Sequence, residues 1–450
     1  MTEFNIIPGD IPLPLPTGGL EFMEPFFHGL LIVSWVVHIL FINVLLGASL
    51  ASVYFNSKGV KEKNPVLDRV GYLLTTPVTI SENMGALWGV APLLLVSILI
   101  TPLFYSASIM NSPHWLHIIY GNIVAFLLSY LYKYTWHTLK NRKTLHIFIG
   151  VVGVALFFTL PLAFMSTVQL SMTPSTWTYD TRFWDILLRP DTFFRLMHFY
   201  LATFAVTGLF MLVYGMYKRR SKDATEREAG VILTRTGKSW FVIPTVLNFF
   251  VGPLVLFSFP DYGIEAFFKN GYYWLIVLAV VFAIFAVYQL LKDFFNDNLS
   301  DRRVWTVVGV MLVVIISMAS LRHGMRMGLI EPVLEASAAK TELFQKESMA
   351  AFEEAESKPK TFTQADSYPG KVLAEKHGCL ACHSERVKIV GPSYREVAAR
   401  NYSAEQMVEL VQNPKPENWP GYMPMPPMPQ VPVEDIRVIA EWINMLKTEE

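Results

Sequence analysis

The stretch Tyr72-Leu-Leu-Thr-Thr-Pro77-Val-Thr-Ile-Ser-Glu82-Asn-Met-Gly85-Ala-Leu-Trp-Gly89-Val-Ala-Pro92-Leu-Leu-Leu-Val-Ser97-Ile-Leu-Ile-Thr101-Pro-Leu-Phe-Tyr-Ser-Ala107 decides the topology of this chain. Its only acid is Glu82, and it holds no lysine or arginine. About 20 apolar residues suffice to cross a hydrocarbon core as a helix, so the stretch reads as one long span, over 76–107, or as two. Seven other apolar runs have spanning length, near 26–54, 115–136, 146–170, 193–217, 239–259, 271–291 and 303–321. Charge settles the count. The connections at 56–70 (Lys58, Lys61, Lys63, Arg69), 137–145 (Lys140, Arg142, Lys143), 218–238 (Lys218, Arg219, Arg220) and 292–302 (Lys292, Arg302) are basic. Those at 108–114, 171–192 and 260–270 are poor in Lys and Arg. Only a single span over 76–107 keeps this alternation, and the positive-inside rule then places both termini outside.

Composition agrees. The 450 residues are 52% hydrophobic and 16% charged, against about 25% charged in soluble domains. Lys+Arg and Asp+Glu are balanced at 37 each, so charge points to no nucleic acid or other polyanionic partner. The first 25 residues carry Glu3, Asp10, Glu21 and Glu24, many prolines and no Lys or Arg, unlike the basic start of a signal peptide. The membrane segments themselves are expected to export the soluble portion. The expected fold is all-α: a polytopic bundle of about eight transmembrane helices, N-out and C-out, followed by a small soluble helical domain. Its parts are an exoplasmic segment (1–25), the bundle (26–329), a helical linker (330–367) and the C-terminal domain (368–450). Within the linker a helix is expected from Pro332 to Ser357, followed by Lys358-Pro359-Lys360 as a spacer. That spacer is either passive or lets the last domain dock and swing.

The chemistry in that domain begins at Cys379-Leu380-Ala381-Cys382-His383, which holds both cysteines of the chain. Two thiols three apart with an adjacent imidazole form the attachment site of a covalent c-type haem, with the histidine as proximal iron ligand. A thioredoxin-like motif does not require the histidine, and a zinc site needs more Cys/His partners nearby. Helices are expected at Gly370–His377, leading into the motif, and at Pro432–Leu446, closing the domain. Between them lie Ile389-Val390-Gly391-Pro392, Trp419-Pro420-Gly421 and Met423-Pro424-Met425-Pro426-Pro427-Met428. This pattern resembles the small bacterial class I monohaem cytochromes c over the whole domain. The resemblance implies Met425, followed by two prolines, as distal ligand, with Met423 and Met428 close by. His/Met ligation fills both axial positions and suits electron transfer.

Ionisable groups inside spans mark sites by default. Of ten histidines, His114, His117, His137 and His146 lie near span ends and read as interfacial. His38, His198 and His323 lie within three different spans, with His28 near the outer end of the first. For any one of them a hydrogen-bonded structural role is the commoner outcome; three together in a haem protein point to b-type haem iron ligands. His38 sits roughly 18 Å from the outer end of its helix, at about 1.5 Å per residue. Arg322 and Arg326 flank His323 and suit haem propionates, or anchor the helix at the headgroups. Glu82 either starts a proton path or is a helix-end carboxylate at the headgroups. The segment Phe183–Leu188 reads as a short interfacial helix.

A second resemblance rests on three helices. The first span has His38 nine positions before Gly47-Ala48-Ser49, the second has Gly89-Val90-Ala91, and the fifth reads Arg195-Leu-Met-His198-Phe-Tyr-Leu-Ala202 and ends in Thr207-Gly208. Together these are similar to subunit I of the cytochrome bd-type oxygen reductases over about residues 20–220. The resemblance implies one to three non-covalent b-type haems, with His198 on the low-spin haem and His38 as the catalytic position. It also implies a bacterial inner (cytoplasmic) membrane, partner membrane subunits or a homo-oligomer, and a periplasmic electron donor or acceptor. There are departures. The family's membrane carboxylate falls near Ser97, and the link from Phe259 to Gly271 is too short for a quinol-binding loop. The G-R-Q-P-W segment is absent, and the second low-spin ligand must come from Met311, Met318 or His323, of which His323 is preferred. The expected function is a membrane-bound respiratory haem protein passing electrons between haem c and b-type haems and reducing oxygen or a similar small oxidant. The alternative is a non-catalytic subunit linking quinol or a partner subunit to a periplasmic cytochrome.

Overall fold

A computed structural model describes residues 24–177, 182–292, 300–357 and 368–448. The expected exoplasmic segment lies outside them, apart from Glu24 and Pro25, as does the stretch 358–367 that contains the proposed spacer. Every regular element among the described residues is helical: α1 (Glu24–Glu62), α2 (Pro65–Leu99), α3 (Thr101–Met110), α4 (Ser112–Tyr134), α5 (Lys143–Met172), α6 (Phe183–Leu187), α7 (Pro190–Lys218), α8 (Ala224–Phe257), α9 (Asp261–Lys269), α10 (Tyr273–Leu291), α11 (Asp301–Ser357), α12 (Pro369–Lys376), α13 (Tyr394–Ala399), α14 (Ala404–Gln412) and α15 (Val433–Met445). The chain divides into two compact units, residues 1–346 and 347–450.

Eight described helices are long and apolar enough to cross a membrane: α1, α2, α4, α5, α7, α8, α10 and α11. The protein is therefore a multi-pass membrane protein. The deciding stretch forms one span and then stops. Ile100 leaves helical geometry (φ −130°, ψ 41°), and Pro102 restarts the chain as the ten-residue α3. The span thus ends two residues before Pro102, which lies at the start of α3, where a proline is tolerated. The last span differs from expectation more. No new helix begins at Pro332; α11 runs unbroken for 57 residues from Asp301, with Pro332 inside it. A proline in a helix interior is costly, about 3 kcal/mol, which is why the sequence reads it as a start.

The bundle is assembled from close antiparallel pairs. Along α7 and α8, a methyl added at Gly208 would lie 2.4 Å from the Phe241 nitrogen, and one at Gly237 2.6 Å from the Gly208 oxygen. The two backbones therefore touch, as small residues permit in membranes. A strut joins α1 to α7: Thr203 Oγ1 donates to Asn43 Oδ1 at 2.9 Å, and Thr207 Oγ1 to the Asn43 carbonyl at 2.7 Å. Both side-chain partners are buried.

The smaller unit holds its own core around fully buried Trp442, with Ala374, Tyr394, Ala398, Met407 and Ile439. Helix α12 crosses α15 at Gly370, where an added methyl would lie 2.4 Å from Trp442 Cβ and 2.5 Å from the Val438 oxygen. His377 Nε2 meets Asp435 Oδ2 at 2.7 Å across the same pair. Reciprocal caps at Ser393/Glu396 and Ser403/Gln406 start α13 and α14.

Candidate haem-binding sites

In the smaller unit, Gly378 adopts φ +73°, a conformation open to glycine, and turns the chain into a single 3-10 turn at Cys379–Ala381. Neither cysteine is in a disulfide. The main chain closes on itself through Gly391 N–H to the Cys382 oxygen at 2.8 Å. His383 Nδ1–H donates to the Pro392 carbonyl at 2.7 Å, which fixes the tautomer and leaves the Nε2 lone pair available to a ligand. Gly391 lies flat beneath that ring: a methyl there would sit 2.5 Å from His383 Cε1. Tyr394 stacks on the same imidazole with its centroid 5.4 Å away, and burial pushes its phenol upward in pKa. The Val390-Gly391-Pro392 segment, which sequence reading treats only as a family marker, thus supplies both the acceptor and the space for the proximal ligand.

Among the three loop methionines, Met423 is 71% exposed. The Met428 sulfur accepts from Gln430 Nε2 at 3.9 Å, and its N–H is held by the Val411 oxygen at 3.0 Å. Met425 is half-buried and has no such engagement. The loop is braced by Tyr422 OH donating to Glu396 Oε1 at 2.8 Å, by Lys388 over the Tyr422 ring and by Arg400 over Trp419.

In the bundle, His38 is tethered to α2. Its Nδ1–H donates to the Gly85 carbonyl at 2.8 Å, again leaving Nε2 free. Gly89, one turn further, makes room for the ring; a methyl there would lie 2.8 Å from His38 Cε1. The Gly89-Val90-Ala91 motif therefore has a steric role that its similarity alone does not reveal. His198 stands on α7 against α8, where the Asn248 amide donates to the His198 carbonyl at 3.5 Å. His38 and His198 each lie five residues from the Asn43–Thr203 strut, about 7.5 Å along parallel helices. They share a level but face different neighbours, so they define two sites. His323 on α11 lies with its ring centroid 4.8 Å from that of His28 on α1, ten residues up from His38. Met311 is buried in an apolar cluster with α7, α8 and α10, and Met318 packs against the same cluster.

Arg322 stacks on Trp35 at 4.6 Å and Arg195 on Phe259 at 5.1 Å. Arg326 is 5% exposed. The three guanidinium groups act on one another electrostatically. None forms an ion pair within 4 Å among the described residues. Arg195 was legible only as part of a motif; its grouping with Arg322 and Arg326 is a tertiary fact.

The residues fit haem. Among the described residues, buried His323 Nδ1 and Arg326 Nε have no hydrogen-bond partner, and the buried His198 ring has only Asn248 beside it, a costly condition in an apolar bundle. Imidazoles with guanidinium groups beside them match a planar iron cofactor with carboxylate edges. By contrast, no group of three or more His, Cys, Asp or Glu suited to a bare metal ion occurs among the described residues.

Three sequence expectations change. Glu82 is not at a helix end: it lies mid-way along α2, fully buried, and its Oε2 accepts from Ser129 Oγ at 2.9 Å. His146 keeps its place near a span end, as the fourth residue of α5, but gains partners inside the bundle. It is fully buried, its Nε2–H donating to the Tyr132 carbonyl at 2.8 Å while Nδ1 accepts from Asn56 Nδ2 at 2.9 Å. His117 is likewise paired inside the bundle, with Thr159 Oγ1 at 2.9 Å. The remaining two end positions behave as surface residues: His137 is exposed beside Tyr72, and His114 stacks on Phe183 at 4.0 Å. Ser97, where a carboxylate is expected from the bd resemblance, simply bonds back to the Leu94 carbonyl at 2.8 Å.

No family model matches the chain. Among curated proteins, cytochrome c-551 of Allochromatium vinosum is 42% identical over 76 residues, 16% of this chain and 80% of that protein. Cytochrome c-551 of Stutzerimonas stutzeri is 39% identical over 82 residues, 17% of this chain and 77% of its own length. Cytochrome c-552 of Nitrosomonas europaea is 33% identical over 90 residues, 19% and 82% respectively. Among solved structures, the bd oxidase from Geobacillus thermodenitrificans superposes with a TM-score of 0.56 at 12% identity, over 68% of this chain and 88% of that one. The bundle therefore has the bd oxidase fold.

Proposed function

This chain belongs, through its C-terminal domain, to the cytochrome c-551/c-552 family, and from that premise we propose which sites handle its electrons. It is a membrane-bound respiratory electron-transfer protein with a covalent haem c. In our reading Cys379 and Cys382 would hold the haem c through thioether bonds, and His383 and Met425 would ligate its iron. His38 and His198 hold b-type haems, with His323 ligating at the α1/α11 contact and Arg322 and Arg326 facing propionates. When bound, these haems supply one-electron transfer and, at a five-coordinate iron, binding and reduction of oxygen or a similar small oxidant. The chain's own part is orientation and charge. The Gly85 and Pro392 carbonyls hold the His38 and His383 imidazoles in the ligating tautomer, and the buried guanidinium groups stabilise carboxylates that would otherwise be costly in lipid.

The observation that carries the catalytic reading is the His38 tether: a half-buried imidazole pinned by Gly85, clear of Gly89, with Nε2 unengaged. The c-type domain lies on the exoplasmic side of a bacterial inner membrane in this reading, taking electrons from a periplasmic carrier, and further membrane subunits or a second copy accompany the chain. One observation favours the non-catalytic alternative: Ser97 bonds to its own helix and supplies no carboxylate. The α8–α10 connection consists of the nine-residue α9 and three residues on either side of it, which leaves no long loop for quinol.

A carbon monoxide difference spectrum of the reduced protein, with pyridine haemochrome counting, tests both readings. The reductase reading expects b-type haem beside one haem c, and a CO adduct that His38→Ala abolishes while the c-type spectrum persists. Absence of any CO adduct in the unaltered protein leaves the electron-transfer reading. Absence of haem b refutes the assignment of His38, His198 and His323.

A further inference from the structure

Reducing a small oxidant inside a membrane consumes protons as well as electrons, and four helices of the bundle enclose a polar column that ends near His38. We propose that Glu82 is the terminal carboxylate of a proton-uptake route that begins at Asp68 and Lys143 and passes Asn56, His146, Tyr132 and Ser129. This rests on reading His38 as the oxidant-reducing site.

The column runs through hydrogen bonds on either side of one gap, between Tyr132 and Ser129, which a small cavity spans. At the end of the bundle that carries the basic connections, Lys143 Nζ meets Asp68 Oδ1 at 2.8 Å, both half-buried. Lys143 also reaches Asn56 Oδ1 at 3.5 Å. Asn56 is fully buried and its amide donates to Tyr132 OH at 2.9 Å and to His146 Nδ1 at 2.9 Å. Tyr132 then lines a small cavity between α1, α2, α4 and α5 with the hydroxyls of Ser49, Ser52, Thr75 and Ser129. Its exposed lining is mostly apolar, because the hydroxyls of Ser49, Ser52 and Thr75 turn to the Leu46, Gly71 and Tyr72 carbonyls, and it has room for a single water. Ser129 closes the column by donating to Glu82 Oε2 at 2.9 Å. Glu82 is one helical turn before Gly85, whose carbonyl holds His38.

A purely structural network would satisfy every buried atom, because an unpaired polar group in a membrane interior is expensive. Glu82 Oε1 breaks that rule: it is buried and has no hydrogen-bond partner. An oxygen held open at the end of a hydroxyl chain suits proton exchange with water. The charged group acting on Glu82 is Lys133 of α4, which itself donates to Thr79 Oγ1 at 2.8 Å. The neighbouring Asn83 and Tyr130 bond to each other. For oxygen the balance is O2 + 4 e− + 4 H+ → 2 H2O, the electrons supplied through haem c by a reduced one-electron carrier.

The test uses the full-length haem-loaded protein, with ascorbate and a small redox mediator as reductant. Glu82→Gln is expected to lower oxygen consumption at least tenfold, with Glu82→Asp recovering part of it. All haems should still be reduced, and CO should still bind. Infrared reduced-minus-oxidised spectra should show a protonated carboxyl band that shifts in D2O and disappears in Glu82→Gln. Ser129→Ala and Tyr132→Phe, which retain the charge pattern, should each slow turnover several-fold and serve if Glu82→Gln fails to load haem. Turnover within twofold of the unaltered protein in Ser129→Ala and Tyr132→Phe, or no carboxyl band assignable to Glu82, overturns the route. An unaltered protein that neither binds CO nor consumes oxygen refutes the catalytic reading of His38 instead.

Discussion

Replacing Gly391 by alanine puts a methyl carbon 2.5 Å from His383 Cε1, 2.8 Å from Nδ1 and 3.0 Å from Nε2. Ordinary carbon contacts are about 3.5–4.0 Å, so the ring must retreat by roughly 1 Å. It cannot do so and keep the 2.7 Å bond from Nδ1–H to the Pro392 oxygen, which would stretch beyond about 3.5 Å. That bond is worth about 0.5–1.5 kcal/mol net. By raising imidazole basicity it favours ferric over ferrous iron. If its whole energy is differential between the two oxidation states, its loss raises the haem c midpoint potential by up to about 20–65 mV, since ~59 mV corresponds to a tenfold change for one electron. A spectroelectrochemical titration of the c-type α-band in the full-length protein reads this directly, with the exposed neighbour substitution Val390→Ala as control. An unchanged or lowered potential with full haem attachment refutes the assigned role of the Pro392 carbonyl.

Other expectations follow from the same domain. Met425→Ala opens the sixth position, so the c-type haem binds CO and its potential falls; a variant unable to bind CO at haem c returns the ligand to Met423 or Met428. Gly370→Ala drives a methyl into Trp442 and the Val438 backbone, and the domain should lose about 1–3 kcal/mol in denaturant titrations followed by haem c absorbance. The Glu396 carboxyl is held below its usual range by the Ser393 N–H at 2.7 Å, then by Tyr422 and the Ser393 hydroxyl. Its folded pKa is thus depressed, so its stabilisation is present above the unfolded value and is lost as pH falls through the folded one. Glu396→Gln should therefore flatten the acid limb of domain stability below about pH 5; an unchanged limb would assign the acid dependence to other carboxylates.

The spans were legible because length, apolarity and alternating basic connections are properties of contiguous sequence. The C-terminal helices were equally so: expected boundaries of Gly370–His377 and Pro432–Leu446 meet Pro369–Lys376 and Val433–Met445. Local punctuation misled where packing overrode it. Pro332 looked like a start yet sits inside α11, and the long second run broke at Ile100, two residues before a proline. What was illegible is pairing between distant positions. His146 read as interfacial because its partner Asn56 is 90 residues away, and Glu82 read ambiguously because nothing in its own helix announces Ser129. Gly89 was visible as a motif, but only the folded chain shows that it leaves room for His38.

The bonds between Asn43, Thr203 and Thr207 make α1 and α7 a single ruler. A bilayer of different thickness can tilt the pair together, but it cannot slide one helix along the other without breaking buried bonds in lipid. The shared level of His38 and His198 is thereby insulated from membrane composition. Changes at Asn43 and Thr203 should be tolerated only in concert, because either alone strands a polar atom and frees the register between the two histidines.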